Sequence, residues 1–141
     1  MSREKVRIVL DTNVLYSGLY SSKGASFRVL KAIEEGKIGM VISTTLLFEY
    51  EDVLKRNQAV LGLSDQEIES ILNYFCLRGE HHKIYFLWRP YLADPKDDHL
   101  LELAIASGTR RIVTFNRKDF KGSEEFGIKT IGPQEIMEEI S

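Results

Sequence analysis

The stretch VRIVLDTNVLYSG, residues 6–18, joins an apolar run directly to a carboxylate. The residues from Val6 to Leu10 have the apolar character of a buried strand, and Asp11 follows them without an intervening glycine or proline. Burial of an unpaired carboxylate is costly, and the group protonates unless a positive charge lies beside it. Asp11 therefore needs a positively charged partner beside it.

Length and composition indicate one globular domain that spans residues 1–141. The chain has 43% hydrophobic and 28% charged residues, which is typical of a folded protein with a single core. Cys76 is the only cysteine, so an internal disulfide and a cysteine-based zinc cluster are excluded, and we expect an inert core thiol. The first residues resemble neither a signal peptide nor a membrane span, which predicts a cytoplasmic protein without a membrane partner.

Strand and helix patterns alternate along the chain. Strands are predicted at 6–10, 38–42, 84–87, 111–115 and 129–131. Helices are predicted at 14–20, 25–35, 44–56, from 65 onward behind a capping box formed by Ser64 and Glu67, at 98–107 and at 133–140. This alternation predicts an α/β fold with a central parallel sheet of about five strands and helices on both faces.

Four carboxylates are expected near the carboxyl ends of the strands, where functional groups gather in such sheets. They are Asp11, Glu49, Asp98 and Asp119. Each has a simpler explanation when taken alone: a helix cap for Asp11 and for Asp98 or Asp97, solvation for Glu49, and a turn with Asn116 for Asp119. A shared location is explained better by a cation, because clustered carboxylates repel one another. Hard oxygen ligands without histidine or cysteine partners favour Mg²⁺ or Mn²⁺ over zinc.

Four segments in order resemble the successive motifs of the PIN-domain ribonucleases. These segments are VLDTNVLYSG, STTLLFEYEDVL, DPKDDHLLELAIASG and IVTFNRKDF. The closest likeness is to the compact prokaryotic branch that includes the VapC-type toxins. The resemblance covers nearly the whole chain and implies a PIN-like three-layer fold.

The resemblance also implies roles for individual residues. Asp11, Glu49, Asp98 and Asp119 match the four acidic positions that hold the metal and catalyse the reaction. Asn13, Thr114 and Asn116 match supporting polar positions. Asp94 and Asp97 compete with Asp98 for the third position. Asp98 is preferred because it would begin a helix with Leu101 and Ala104 packed inward, and Asp97 is kept as a supporting residue.

The implied activity is Mg²⁺- or Mn²⁺-dependent hydrolysis of RNA, with the protein as the toxin of a toxin–antitoxin pair and an antitoxin as its partner. The net charge of −2 does not indicate a nucleic-acid binder. However, Arg117, Lys118 and Lys121 are close in sequence and either bind flanking phosphates or are solvated. One alternative is a catalytically silent PIN-like module that binds RNA or protein. A phosphatase that uses Asp11 is less favoured, because its second acid would stand where Asn13 is.

Two helices carry more apolar residues than one core face needs, which together with the family's habit of pairing predicts a homodimer. The apolar residues concerned are Leu46, Phe48, Tyr50, Ile68, Ile71, Leu72, Tyr74, Phe75 and Leu77. The pair His81 and His82 is interpreted as solvated. His99 beside Asp98, and Trp88 with Tyr91, are left open between packing and a place near the site.

Overall fold

The structure of the chain is a computed structural model that describes the backbone of residues 5–83 and 95–141 and the side chains of 5–83 and 98–141. The described strands and helices are β1 (Val6–Leu10), α1 (Thr12–Tyr20), α2 (Ala25–Glu34), β2 (Ile38–Ile42), α3 (Thr44–Arg56), α4 (Gln58–Leu61), α5 (Asp65–Arg78), β3 (Glu80–His81), α6 (Pro95–Ser107), β4 (Arg111–Val113), β5 (Lys129–Ile131) and α7 (Pro133–Ile140). Two short 3₁₀ helices, Arg117–Phe120 and Ser123–Phe126, lie between β4 and β5.

The five strands form one parallel sheet in the order β3-β2-β1-β4-β5, which confirms the predicted fold class. β1 lies in the centre, and Leu10 at its end is in register with Val113 of β4. The chain runs outward from β1 through β2 to β3 and then returns to the other side of β1 to form β4. The strand order therefore reverses between β1 and β4, and the carboxyl ends of these two strands flank the crevice in which α/β sheets bind ligands.

The core lies between the sheet and its helices. Ile8, Val9 and Leu10 of β1 are fully buried, as expected for a central strand covered on both faces. α2 packs against α1 and α7, α3 packs against α5, and α6 lies against β1, β2 and β4. A Cβ atom at Gly18 would stand 2.6 Å from Leu30 Cδ1, so glycine lets α1 and α2 approach closely.

Local signals in the sequence set several boundaries correctly. The Ser43 hydroxyl caps α3 by accepting from the backbone N–H of Leu46. Ser64 and Glu67 form the predicted capping box of α5. α7 begins at Pro133, and the turn after α6 contains Gly108 with a φ of 72°.

Other boundaries differ from the prediction. α1 begins two residues earlier, at Thr12, and α6 begins three residues earlier, at Pro95. β4 ends at Val113, because the Thr114 hydroxyl accepts from the backbone N–H of Asn116 and turns the chain. The one-turn helix α4 was not predicted. The strand predicted at 84–87 lies outside the described residues, as do Trp88, Tyr91 and Asp94, whereas β3 pairs with β2 at Glu80–His81.

Two expectations about apolar surfaces are wrong. Cys76 is exposed and is not a core thiol, because the buried side of α5 passes through Ile68 and Phe75. Leu46 and Tyr50 are fully buried, since neighbouring helices enclose α3 on several sides. The exposed apolar surface of α3 and α5, from which a dimer was predicted, therefore consists mainly of Phe48 and Leu77, which are 65% and 84% exposed. Within the described part of the chain, no helix has the length and apolar character needed to cross a membrane.

Candidate functional site

Asp11 lies at the carboxyl end of β1, where its backbone N–H donates to the carbonyl of Val113 at 3.0 Å. It occupies the N-cap position of α1, but its side chain makes no capping hydrogen bond. The carboxylate instead accepts a hydrogen bond from the Thr114 hydroxyl, with Oδ2 2.7 Å from Oγ1. The simple helix-cap explanation for Asp11 is therefore not supported, and the side chain points toward the end of β4.

Thr114 connects three segments at this edge of the sheet. Its side chain is fully buried, and its backbone N–H donates to the carbonyl of Ile131 at 3.0 Å. Its hydroxyl oxygen accepts from the backbone N–H of Asn116 at 3.0 Å while it donates to Asp11. Thr114 thus fixes the orientation of the Asp11 carboxylate.

The negative charges of Asp11 and Glu49 interact at this end of the sheet. Burial raises the pKa of Asp11, hydrogen bonds from Thr114 and Thr12 oppose this rise, and the negative charge of Glu49 adds to it. Asp11 is only 6% exposed. The structure thus brings these two carboxylates from β1 and α3 within electrostatic range of each other.

Tyr50 is a component of this region that the sequence did not reveal. Its side chain is fully buried, and its hydroxyl donates to the carbonyl of Leu10 at 2.6 Å. Burial raises the pKa of Tyr50 well above its ordinary value, and the charges of Asp11 and Glu49 raise it further. Tyr50 ties the end of β1 to α3. No local signal distinguishes it from the other apolar residues of that helix.

His99 is a second residue that the structure brings to Glu49. It is 4% exposed, and its Nε2 lies 2.8 Å from Oε1 of Glu49, although this contact does not have the angles of a hydrogen bond. Its Nδ1 is buried and also lacks a hydrogen bond within the described residues. Its position beside Asp98 was the only clue in the sequence. A protonated His99 would form an ion pair with Glu49.

α6 is buried around its whole circumference near Asp98. Leu101 and Ala104 face inward as predicted, but Asp98 and Glu102 are also buried, at 2% and 6% exposure. Asp98 is the fourth residue of the helix and does not cap it. Burial of Glu102 was not predicted, because a single apolar face was assumed for this helix. The side chain of Asp97 lies outside the described residues.

The remaining predicted residues lie on the turn after β4 or at the start of α1. Asp119 is half-buried in the first 3₁₀ helix, and its backbone N–H donates to the carbonyl of Asn116. Arg117 forms an ion pair with Glu135 of α7. Lys118 and Lys121 are exposed. The Oδ1 atom of Asn13 is buried without a hydrogen-bond partner among the described residues.

These placements leave the four-carboxylate site partly assembled. Among the side chains of 5–83 and 98–141, no three His, Cys, Asp or Glu are grouped closely enough to hold a metal ion. Asp11 and Glu49 come together, while the approach of Asp98 and Asp119 to them stays a prediction. The donor chemistry fits Mg²⁺ or Mn²⁺, since two carboxylates and the unpartnered Asn13 oxygen belong to neighbouring elements.

Asp11→Asn is expected to leave the metal-free protein as stable as wild type or to stabilise it by about 1 kcal/mol. Because folding raises the pKa of Asp11, the unfolded chain binds fewer protons at this group. The stability of wild type should therefore fall, relative to the variant, as pH rises from the ordinary aspartate value of about 3.9 through the raised value. Thermal melts in EDTA across this range would measure the difference. A variant that melts well below wild type would indicate that Asp11 is mainly structural.

Comparisons with known proteins bear on this arrangement. A model of the PIN domain matches residues 7–118. No curated protein sequence matches the chain significantly. The fold is similar to that of a chain in the crystal structure of VapBC2 from Rickettsia felis bound to a DNA fragment from their promoter. That likeness has a TM-score of 0.60 and 16% sequence identity, and it covers 89% of this chain and 98% of the other. Because the domain model spans most of the sequence, including Asp11, Glu49, Asp98 and Thr114, the chain belongs to the PIN domain family.

Proposed function

We propose that this protein is a metal-dependent endoribonuclease that hydrolyses RNA phosphodiester bonds, as the toxin of a toxin–antitoxin pair. The observation that carries the proposal is the buried Asp11 carboxylate, which is held by Thr114 and lies in the field of Glu49 at the crevice between β1 and β4. A buried carboxylate beside a second, half-buried carboxylate is unfavourable without a counter-charge and becomes favourable around a cation. Membership of the PIN domain family supports the nuclease class.

In this proposal Asp11, Glu49, Asp98 and Asp119 hold Mg²⁺ or Mn²⁺, with Asn13, Thr114, Asn116 and Asp97 in supporting positions. The bound metal would lower the pKa of a water molecule and neutralise charge on the phosphate. The residues of the protein orient the proposed metal ligands. Thr114 fixes the Asp11 carboxylate, and Tyr50 fixes the strand end that carries it.

The basic residues after β4 are proposed to hold phosphates on either side of the cleaved bond. Lys118 and Lys121 are exposed and suited to this role. Arg117 must leave or share its ion pair with Glu135 to take part. These contacts would supply affinity without base specificity.

An antitoxin partner is also proposed, and its support is the fold shared with a chain of the VapBC2 assembly. A homodimer and a cytoplasmic location are retained as proposals. The first alternative is a catalytically silent PIN domain that binds RNA or protein. Burial of Asp11 beside Glu49 favours the enzyme, because a module without turnover has no need for this electrostatic strain. A phosphatase that uses Asp11 lacks a second acid at Asn13.

The proposed function predicts that purified protein cleaves single-stranded RNA only in the presence of a divalent cation. A panel of labelled RNAs would be incubated with Mg²⁺ or Mn²⁺, with and without excess EDTA, and the products resolved by length. We expect internal cleavage with either metal and none in EDTA. Full activity in EDTA would refute the metal mechanism. RNA binding without any cleavage would favour the silent module.

A further inference from the structure

Phe115 is a large aromatic side chain exposed beside the candidate site. It is 53% exposed, although it directly follows the fully buried Thr114. It lies just beyond β4, at the same sheet edge as Asp11. Single exposed apolar side chains are common, so the location of this ring beside the crevice matters here more than its exposure.

The backbone holds Phe115 in a defined position. On one side, the N–H of Thr114 donates to Ile131, and the Thr114 hydroxyl is tied to Asp11. On the other side, the N–H of Asn116 donates to that hydroxyl, and the carbonyl of Asn116 accepts from the N–H of Asp119. The ring is thus presented from a short turn that is fixed at both ends, so little backbone entropy remains to be lost on binding.

The charges around Phe115 favour a nucleic acid as its partner. The segment from Phe115 to Lys121 contains three basic residues and one acidic residue, whereas the whole chain has a net charge of −2. Lys118 and Lys121 are exposed, and neither forms an ion pair within the part of the chain that the structure describes. An exposed ring followed by free cations matches a base and the phosphates next to it.

We propose that Phe115 is a stacking platform for one unpaired base of single-stranded RNA next to the bond that is cleaved. The inference rests on the proposed RNA substrate and adds a subsite to it. The platform accepts any base, because every base has a π-face, and it requires that the nucleotide be unpaired. Phe115 would thereby restrict cleavage to single-stranded or looped RNA.

The test is the affinity for a short fluorescent single-stranded RNA, measured by anisotropy in EDTA so that cleavage is prevented. Phe115→Ala is expected to weaken binding about 5- to 100-fold, and Phe115→Trp is expected to retain it. Tyr20→Ala is the matched control. Tyr20 is 63% exposed but lies at the far end of α1, roughly 13.5 Å along that helix from Asp11. This control should bind RNA as wild type does.

A series of RNAs with a single abasic position distinguishes stacking from a general structural effect. One abasic position should weaken binding by wild type and have little further effect on Phe115→Ala. Equal binding by wild type and Phe115→Ala would overturn the inference. Because binding is measured without cleavage, the two proposals fail separately. Phe115-dependent binding without any nuclease activity would refute only the enzyme, and cleavage with Phe115-independent binding would refute only the platform.

Discussion

Asp11→Asn is expected to reduce RNA cleavage about 10³-fold or more while the fold persists. Loss of one carboxylate removes negative charge where the metal is proposed to bind, and several kcal/mol of transition-state stabilisation are lost with it. The variant keeps an oxygen that can accept the hydrogen bond of Thr114, so the polypeptide has no reason to rearrange. Initial cleavage rates at saturating Mn²⁺, together with circular dichroism spectra, would measure the effect.

Asp52→Asn provides a matched control for this substitution. Asp52 lies on α3, the helix that also carries Glu49. Its side chain is 64% exposed and pairs with Arg56 on the same helix. Its replacement should leave the cleavage rate unchanged, because exposed ion pairs of this kind contribute little. A rate for Asp11→Asn within tenfold of wild type would contradict the assignment of Asp11 to the metal.

Thr114→Val is expected to weaken Mn²⁺ binding by about 10- to 100-fold, as is typical when a residue that orients a metal ligand is lost. The hydroxyl group both donates to Asp11 and accepts from Asn116, and valine retains the shape without either bond. The backbone N–H of Asn116 would also lose its acceptor, which costs about 1 kcal/mol of stability because this hydrogen bond is only partly buried. Calorimetric titration with Mn²⁺ separates the first effect from the second.

The control for this variant lies at the other end of the same strand. Thr109 precedes β4, is 3% exposed, and its hydroxyl oxygen accepts from Ser107 at 2.7 Å. Thr109→Val should lower stability and leave Mn²⁺ affinity unaltered, because the opposite edge of the sheet carries no proposed ligand. Equal Mn²⁺ affinities for Thr114→Val and wild type would show that Thr114 does not position Asp11.

The fold could be predicted from the sequence where the signals are local. The run before Asp11, the Ser43 cap and the capping box at Ser64 depend on contacts within one element and its neighbours in sequence. The parallel sheet was predicted from the alternation of strand and helix patterns along the chain. By contrast, the enclosure of α3 and α6 depends on which helices pack around them, and a helical pattern cannot reveal this. Tyr50 was consequently assigned to a surplus face instead of the core.

The candidate site was likewise predictable where the signal is local, and not where it depends on contacts between distant elements. Asp11 could be identified from the sequence because it directly follows a run of five mostly apolar residues, where a carboxylate is unusual. The partnership of Glu49 with His99 joins residues that are 50 positions apart, and it depends on how α3 and α6 meet. Asp98 and Asp119 were candidates because of their places near the predicted strand ends, and the resemblance to the PIN family matched them to acidic positions. Their approach to Asp11 stays a prediction.

Tyr50 couples the packing of the core to the position of Asp11. The Tyr50 ring packs against Phe75 of α5, with centroids 5.4 Å apart, while its oxygen holds the last carbonyl before Asp11. A substitution that loosens the packing of Tyr50 against Phe75 is therefore expected to shift the Asp11 carboxylate, although Asp11 does not belong to α5. Natural variants of this protein with attenuated activity are accordingly expected to include changes in the buried pair of Tyr50 and Phe75.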